Sequence, residues 1–473
     1  MHIESSSHGA STRSSRSAKP LPLLTACALL WSAPGFSQSP LTIGQAVEQA
    51  LVKYPSVRVS LEQVSSAAAG INLARTSYLP RADFLGQVNR ATRNNVSGLL
   101  LPQAVISTIS GPVLPDDRLT NVWGSAVGVL VSWEPFDFGL RKANVEAAEV
   151  ARTRAERAVA LTRLQVATAA ADAFLTILAA EQSVWAAQAG VDRARAVYQV
   201  ADALVKAKLR PGAEASRMRA EVALAETQLI QSQQSTKIAK AALAQFLDSP
   251  SSGLSLAVGP LLETPPAEPL PATGLQQHPA IQEQAAAVDE IKARERALER
   301  SYFPRFNLQG TTYARGTGSH ADGTTGGSLS GLGPNIQNWA FGMSVTFPLF
   351  DLPSLRARKE IEVHRERAQL ARRDQILRYL QAQAEKASAS LEGARLVAAN
   401  TPIQLEAARA AEQQATARYK AGLGNIVEVA EAQRLLTQSE IDNSLAQLNI
   451  WRAMLGVSLA EGDLAPFLLK AAR

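Results

Sequence analysis

The sequence is poor in cysteine, in aromatic residues and in long hydrophobic runs. Its 473 residues include one cysteine, Cys27, and 5% aromatic side chains. One cysteine excludes a disulfide-stabilised fold. The shortage of aromatic residues, together with abundant alanine, favours long packed helices over several compact mixed domains. Beyond the N-terminal region no run reaches the roughly 18 apolar residues of a transmembrane helix, because even the most apolar stretch contains Asp172. If the chain crosses a membrane, we therefore expect it to do so with β-strands.

Signals for catalysis and for nucleic-acid binding are also missing. The net charge is +6, and the excess is spread thinly along helices of alternating charge, so no nucleic-acid partner is predicted. His278, His320 and His364 lie far apart, and none has a second His or Cys at metal-ligand spacing. The segment "GTTGGSLSGLG" lacks the Gly-Lys-Ser/Thr end of a phosphate-binding loop and is interpreted as a surface loop. We therefore expect no enzyme, no metal and no cofactor.

Residues 1–37 have the organisation of a secretion signal. Basic residues precede the apolar run "LPLLTACALLWSA", and small residues follow it, which predicts cleavage near Ser37. The alternative is a lipoprotein signal, because residues 24–27 form an acceptable lipid-attachment pattern that ends at Cys27. Against this alternative, the apolar run continues past Cys27 to Trp31. Cleavage near Ser37 is the favoured interpretation and leaves a mature chain without a thiol.

Two copies of one pattern organise the rest of the chain. Four short motifs occur twice in the same order, with only one region of insertion or deletion between them. They are "YPSV" and "HPAI" at residues 54 and 278, "SYLPR" and "SYFPR" at 77 and 301, Phe-Asp at 136 and 350, and "KAKL" and "KAGL" at 206 and 420. The sequence therefore predicts two structural repeats, residues 38–258 and 275–473, joined by a proline-rich linker at 259–274.

Each repeat is expected to contain a helix, two strands, a very long helix, a break and a further helix. Residues 140–205 contain no proline and no cluster of turn residues, and residues 355–420 repeat this pattern with one interrupting residue, Pro402. At about 1.5 Å per residue, each stretch makes a rod of roughly 100 Å. Such rods cannot bury their own apolar faces, so we expect them to pack side by side in a bundle or tube.

The second strand of each repeat alternates between large apolar and small polar residues. In "NWAFGMSVTFPLF" the apolar positions include Trp339 and Phe347, and in the first repeat they run from Trp123 to Trp133. Ten residues span about 33 Å along a strand, or roughly 25 Å once the strand is tilted, which fits the apolar band of a membrane barrel with aromatic residues at both interfaces. We therefore predict a membrane aromatic belt of Trp123, Trp133, Trp339 and Phe347. The alternative, one face of a soluble β-sandwich, requires a core that four strands flanked by long rods cannot form.

Four strands cannot close a barrel, because small closed barrels need about eight. The subunit is therefore expected to oligomerise, and three copies would supply twelve strands.

Taken together, these features resemble the outer-membrane efflux protein family, the TolC-like channels. The resemblance rests on "LTIGQAVEQALVKYP", the paired "SYLPR" and "SYFPR", the repeated strand pairs, and "ARYKAGLGNIVEVAEAQRLL" followed by "LNIWRAMLG". It implies an internally duplicated α+β membrane protein, in which a homotrimer forms a 12-stranded β-barrel, with four strands per subunit, and a long α-helical coiled-coil barrel. It also implies a location in the outer membrane, in contact with its lipid, with the helical tunnel in the periplasm.

The resemblance further implies a passive exit duct of a tripartite efflux or type I secretion system. The partners would be a periplasmic adaptor (membrane fusion protein) and an inner-membrane transporter. The transported substrate and the class of pump are left open. The alternative function is a periplasmic coiled-coil scaffold without a pore, which the alternating strands disfavour.

The break in "RYKAGLGNIVEVAEAQRLL" carries the candidate periplasmic gate. Gly422 and Gly424 allow the chain to reverse, and Asn425 followed three residues later by Glu428 predicts a capping box for the next helix. Glu428 and Glu431 share one helix face, one turn apart. The resemblance implies that acids at these two positions line the periplasmic entrance, where threefold symmetry would gather six carboxylates.

A third gate residue is implied by the same resemblance. Tyr419 matches a family position that holds helices together at the closed entrance. The basic partner often found beside it is missing, because Gly424 stands at its position. Arg418 or Lys420 are the candidate substitutes.

The two hairpin turns are candidate contacts for the adaptor, because they are exposed and basic. The alternative is that both are ordinary solvated turns. The six residues predicted to make the contact are Lys206, Leu209, Gly212, Lys420, Gly422 and Leu423.

Overall fold

The computed structural model describes residues 40–92, 120–263, 265, 274–320, 322 and 324–472. The predicted secretion signal with Cys27 lies outside the described residues, as do most of the first strand-linking loop and most of the predicted linker. Residues Pro40–Arg473 form one compact unit.

The described residues form eight α-helices and four β-strands. The helices are α1 (Ile43–Lys53), α2 (Pro55–Thr76), α3 (Leu140–Lys206), α4 (Gly212–Leu247), α5 (Pro279–Arg300), α6 (Leu352–Lys420), α7 (Ile426–Glu461) and α8 (Ala465–Ala471). The strands are β1 (Arg81–Thr92), β2 (Asn121–Phe136), β3 (Arg305–Thr317) and β4 (Ile336–Thr346).

Two very long helices dominate the fold, as the sequence predicts. Helix α3 has 67 residues and α6 has 69, so each is about 100 Å long at 1.5 Å per residue. Helix α6 continues through Pro402, which was expected to interrupt it. Proline removes one backbone hydrogen bond of the helix and clashes with the turn before it. Pro402 is exposed, and the helix around it is held by its packing against α7.

The apolar stretch of α3 differs from expectation. Among the described residues, α3 contains one window that is long and apolar enough to cross a membrane, although the sequence analysis found no such run. More than half of that window, 56%, is buried inside the protein. Phe174, Leu175, Ile177 and Leu178 are at most 1% exposed and belong to the main hydrophobic core. The low polarity of this stretch follows from its position in the core of the helical bundle.

The helices pack as two long hairpins, which contact each other through α3 and α7. Helix α3 packs against α4, α6 packs against α7, and α3 also packs against α7. Arg193 of α3 pairs with Glu440 of α7 at 2.8 Å, which fixes one hairpin to the other. At the opposite end of the long helices, next to the sheet, α2 packs on α3, α3 on α5, and α5 on α6.

The main core also includes the beginning of the predicted linker. Leu261 is 1% exposed, and the Trp451 indole Nε1 donates to the Glu263 carbonyl oxygen at 3.2 Å. Trp451 in turn contacts Phe467 edge to face. Residues 259–263 are therefore part of the folded body.

The four strands form one antiparallel sheet in the order β1-β2-β3-β4. Its register places Phe84 beside Val129, Val129 beside Thr312, and Thr312 beside Trp339. We call this side the apolar face. The next residue along each strand lies on the opposite side, which we call the polar face, where Gln309 and Thr311 are buried. The predicted alternation thus produces a sheet with two chemically distinct faces.

Candidate functional site

The two hairpin turns have the same backbone hydrogen-bond pattern, the Schellman motif. At the end of α3 the Leu209 N–H donates to the Leu204 carbonyl at 2.9 Å, and at the end of α6 the Leu423 N–H donates to the Arg418 carbonyl at 2.9 Å. Both motifs need a residue with positive φ. Gly422 provides it at +78°, whereas the first turn uses Lys208 at +59°, at a cost of about 1 kcal/mol.

Both turns expose a leucine at their ends. Leu209 is 70% exposed and Leu423 is 74% exposed. The Lys206 ammonium pairs with the Asp202 carboxylate at 2.7 Å, and this hydrogen bond raises the pKa of Lys206. Gly212 begins α4 with open space where a Cβ would lie. The structure therefore places the predicted adaptor-contact residues at two exposed turns of similar geometry.

Behind the turns, the two hairpins share a small apolar core. Tyr419 of α6 is 2% exposed and lies with Val197 of α3, Met218 of α4 and Val429 of α7. Four helices thus meet at one aromatic ring, and the two turns are held together from inside.

A polar contact joins the same two hairpins at the Tyr419 hydroxyl. This hydroxyl donates to the Glu214 Oε2 of α4 at 2.8 Å. The Arg210 guanidinium lies 5.4 Å from the centre of the Tyr419 ring and 3.8 Å from the Glu214 carboxylate. Burial and the bond to Glu214 raise the pKa of Tyr419 to about 12, so the hydroxyl remains a donor at neutral pH.

The basic partner of Tyr419 is therefore Arg210, not Arg418 or Lys420. The Arg418 side chain turns to its own loop, where Nη2 donates to the Leu423 carbonyl at 3.5 Å. Arg210 occupies the position of the first turn that corresponds to Gly424 in the second, because "KAKLR" aligns with "KAGLG". The alignment of the two repeats is the sequence signal for this partner, because it places Arg210 of the first turn at the position of Gly424 in the second.

The start of α7 carries the two acids. The Asn425 Oδ1 accepts from the Val427 and Glu428 N–H groups at 2.9 and 3.0 Å, which gives the predicted N-cap. The other half of the predicted capping box differs, since the Glu428 Oε1 accepts from the Asn425 side-chain amide at 3.3 Å. Glu428 and Glu431 are both exposed. Their carboxylates therefore face the solvent in the single subunit.

Arg434, one helical turn after Glu431, forms an ion pair with α4. The Arg434 guanidinium donates to both carboxylate oxygens of Glu221 in α4, at 3.0 and 2.5 Å. The bond to Glu221 is the main cause of a raised pKa for Arg434, and the charge of Glu431 adds to it. This pair fixes α7 to the other hairpin and so holds Glu428 and Glu431 in place.

The predicted belt residues all lie on the sheet or at its ends. Trp133 is 40% exposed, and its Nε1 donates to the Tyr78 carbonyl at 3.1 Å, next to the helices. At the other end of β2, Trp123 lies under the Arg90 guanidinium at 5.2 Å. Phe347 follows the end of β4. The register places Trp339 beside Thr312, level with Val129 and so between the two ends of β2.

The apolar face remains uncovered in the single subunit. The large apolar residues with more than half of their surface exposed there are Phe84 (74%), Val88 (58%), Phe136 (53%), Trp339 (80%), Phe341 (65%), Met343 (65%) and Val345 (53%). An exposed apolar surface of this kind marks a contact with lipid or with another protein. On the polar face of the described strands, one large apolar residue reaches this exposure, Ile336 (53%) at the first position of β4.

The model of one protein family, described as "Outer membrane efflux protein", matches residues 46–248 and 270–462. The chain belongs to the outer membrane efflux protein family. Membership, together with the fold, places the protein in the outer membrane and its helical hairpins in the periplasm.

Individual relatives agree with this assignment. The chain is 24% identical over 434 residues to nodulation protein T of Rhizobium leguminosarum bv. trifolii, covering 88% of this chain and 85% of that protein. It is 26% identical over 403 residues to protein CyaE of Bordetella pertussis, covering 83% and 78%. The fold is similar to that of the CmeC outer membrane channel of Campylobacter jejuni, with a TM-score of 0.70 at 15% identity, covering 89% and 85%.

Sequence reasoning missed a buried ion pair where the sheet meets the helices in this efflux protein. Asp137 follows β2 and pairs with Arg141 of α3 at 2.9 Å, with both side chains less than 10% exposed. Arg141 also lies 4.9 Å from the centre of the Tyr78 ring. Burial acts to raise the pKa of Asp137, but the hydrogen bonds from Arg141 and Gly139 together lower it. The second repeat places buried Leu355 where the first has Arg141, so this ion pair has no counterpart at the corresponding position of the second repeat.

His278 lies outside the candidate site and caps a helix. His278 is 3% exposed and caps α5 through its Nδ1, while its Nε2 lies 3.2 Å from the Leu459 carbonyl. Burial lowers the pKa of His278. No group of three or more metal-ligating side chains occurs in the described part of the chain.

Proposed function

We propose that three copies of this chain assemble into an outer-membrane exit duct, and the observation that carries the proposal is the exposed apolar face of the sheet. Strands β1 and β4 form the two edges of the sheet, and each is paired on one side only among the described strands. Joining β4 of one copy to β1 of the next satisfies both edges. Three sheets of four strands then close a twelve-stranded barrel, with the apolar face toward lipid and the polar face toward a wet lumen.

The helical hairpins continue this path into the periplasm. Rods of about 100 Å packed around the same axis form a tunnel, and the energy for transport comes from an inner-membrane transporter. A periplasmic adaptor joins the two, and it docks on the exposed leucines of the turns, Leu209 and Leu423. The system is a tripartite efflux pump or a type I secretion apparatus, because the same duct serves both.

The periplasmic entrance is formed by the start of α7. Glu428 and Glu431 of three copies form a ring of six carboxylates, which attracts cations to the narrowest point. Tyr419, Glu214 and Arg210 hold the two hairpins of each subunit together, and we call this contact the entrance lock. Release of the lock lets the turns move apart and widens the entrance.

Membrane fractionation and conductance test the duct. We expect the protein in the outer-membrane fraction, cross-linkable to a trimer, and able to conduct ions when reconstituted in planar lipid bilayers. Recovery as a soluble periplasmic monomer without conductance would instead support the scaffold function.

Charge-neutral variants test the acid ring. Glu428→Gln with Glu431→Gln should lower the cation preference of the current and weaken block by divalent cations. The matched control is Glu385→Gln with Glu392→Gln, which removes two exposed acids from α6, 28 or more residues before the turn. Equal behaviour of the two double variants would remove the acid-ring hypothesis.

A further inference from the structure

The motifs "SYLPR" and "SYFPR" each end in an arginine whose role is not explained by the duct itself. Arg81 is the first residue of β1, and Arg305 is the first residue of β3. Both positions follow the proline at which the chain leaves a helix and enters the sheet. An arginine at the same point of both repeats places two cations at the helical end of the sheet.

The register assigns these arginines to the polar face. Arg305 pairs with Thr346 and is separated by even steps from Gln309 and Arg315. Gln309 is buried on the polar face, and its Nε2 donates to the Ser132 Oγ at 3.2 Å. Since side chains alternate along a strand, Arg305 and Arg315 lie on that same face, ten residues apart. Arg81 also lies there, because it pairs with Ser132.

The charges on the polar face do not balance. The Arg81 Nε donates to the Asp83 Oδ1 at 2.9 Å, so the first repeat neutralises its own arginine. The corresponding position in the second repeat is Asn307, which cannot do so. Among the described residues, neither Arg305 nor Arg315 has an acidic partner within ion-pair distance, and the remaining acid at this end of the sheet is Glu134.

A cavity shows that this end of the polar face is open to solutes. It has a volume of about 560 Å³ and is lined by residues of both repeats, among them Arg81, Ser132, Glu134, Asn307 and Gln309. The rest of its wall comes from Trp133 and Leu308 of the strands and from the end of α2 with the turn that follows it. Solutes that leave the helical tunnel therefore meet polar side chains before they enter the sheet.

We propose that Arg305 and Arg315 make the lumen of the barrel favour anions, so that solutes bearing carboxylate, phosphate or sulfate groups pass it preferentially. This inference rests on the proposed function, because only a closed barrel turns the polar face into a lumen. Three subunits contribute six guanidinium groups from Arg305 and Arg315 in two rings, against three carboxylates of Glu134, so the described residues leave a net excess of three positive charges. Fixed charges of one sign in a confined aqueous path concentrate the opposite ion.

The proposed anion preference of the barrel lumen is opposite to the cation preference expected of the entrance acids. Glu428 and Glu431 act at the far end of the helices, about 100 Å away along α6, many Debye lengths at physiological salt. The two charge rings are therefore electrostatically independent and can be altered one at a time.

Reversal potentials measure the proposed preference. The full-length wild type and its variants are compared in planar bilayers under a KCl gradient at about 0.1 M, where the Debye length is about 10 Å. We expect Arg305→Gln with Arg315→Gln to lower the chloride-to-potassium permeability ratio by a factor on the order of ten. The charge-conserving pair Arg305→Lys and Arg315→Lys should retain the wild-type ratio.

The matched control removes charge without changing the balance. Arg81→Gln with Asp83→Asn deletes both members of the neutral pair on the same face and should leave the ratio unchanged. The salt test uses the background Glu428→Gln with Glu431→Gln, because salt also screens the entrance acids and would move the ratio in the opposite direction. In this background, raising the salt to about 1 M, where the Debye length is about 3 Å, should move the ratio toward that of the same background carrying Arg305→Gln with Arg315→Gln.

Failure of the anion preference and failure of the duct function give different results. The inference is overturned, and the duct left intact, if Arg305→Gln with Arg315→Gln conducts with the wild-type ratio, or if the ratio does not respond to salt in the background Glu428→Gln with Glu431→Gln. A wild-type protein that inserts without conducting overturns the proposed function.

Discussion

The entrance lock predicts that one oxygen atom controls how often the duct opens. In Tyr419→Phe the aromatic ring remains in its apolar core, but the 2.8 Å bond to the Glu214 carboxylate is lost. A hydrogen bond to a charged group contributes about 1.5–3 kcal/mol. Because Arg210 still pairs with Glu214 in the variant, no buried charge is left alone. The closed state should therefore lose stability by about this amount, so that the open-to-closed ratio rises by roughly tenfold or more.

Single-channel recording in planar bilayers is the assay, with open probability as the readout. The control is Tyr198→Phe, which removes a hydroxyl from the same small core but, among the described residues, no bond to another side chain. We expect a clear rise in open probability for Tyr419→Phe and none for Tyr198→Phe. The reasoning would be refuted if the two variants gated alike.

The lock also has a pH signature with a definite sign. The pKa of Tyr419 is raised from 10 to about 12 when the lock is closed, so the stabilisation of the closed state by Tyr419 is complete below pH 10. This stabilisation is lost as the pH rises from 10 toward 12, because the closed state then binds more protons than the open state. The wild type should open more readily across this window, and Tyr419→Phe should lack the response.

Three further predictions concern stability and can be measured by thermal or denaturant unfolding. Burial lowers the pKa of His278 in the folded protein. The free energy of unfolding should therefore fall as the pH drops below about 6.5, where His278 of the unfolded chain takes up a proton. In His278→Asn, which can still cap α5, this pH dependence should disappear. Gly462→Ala should destabilise the folded protein by about 1–3 kcal/mol, because φ is +83° and a Cβ would lie 2.8 Å from the His278 ring. The control Gly456→Ala, inside α7, has room for its methyl group and should not destabilise the protein. Lys208→Gly should stabilise the first turn by up to about 1 kcal/mol, because it removes a side chain from the left-handed region.

Much of the fold could be predicted from local patterns. The absence of proline and turn residues over residues 140–205 indicated α3 to within one residue of its observed end, and Thr42 with Gln45 forms the capping box that begins α1. The two-residue alternation around Trp123 and Trp339 predicted the strands and their faces, because that period depends only on backbone geometry.

What could not be predicted depends on contacts between distant segments. Glu214 and Tyr419 are 205 residues apart, and no spacing rule connects them before the hairpins are placed side by side. The pair of Asp137 and Arg141 is local, but its burial results from the turn after α2, which brings Tyr78 over the guanidinium. The apolar window of α3 resembled a membrane segment in composition and became a core helix only because its neighbours cover it.

Every atom of the entrance lock belongs to a single polypeptide. Tyr419, Glu214 and Arg210 join two hairpins of the same chain, so no lock shares a residue with a lock in a neighbouring copy. If no other contact couples the subunits of a threefold assembly, the three locks release independently of one another. Opening should be graded, and current records should show partial conductance levels whose occupancies follow a binomial distribution.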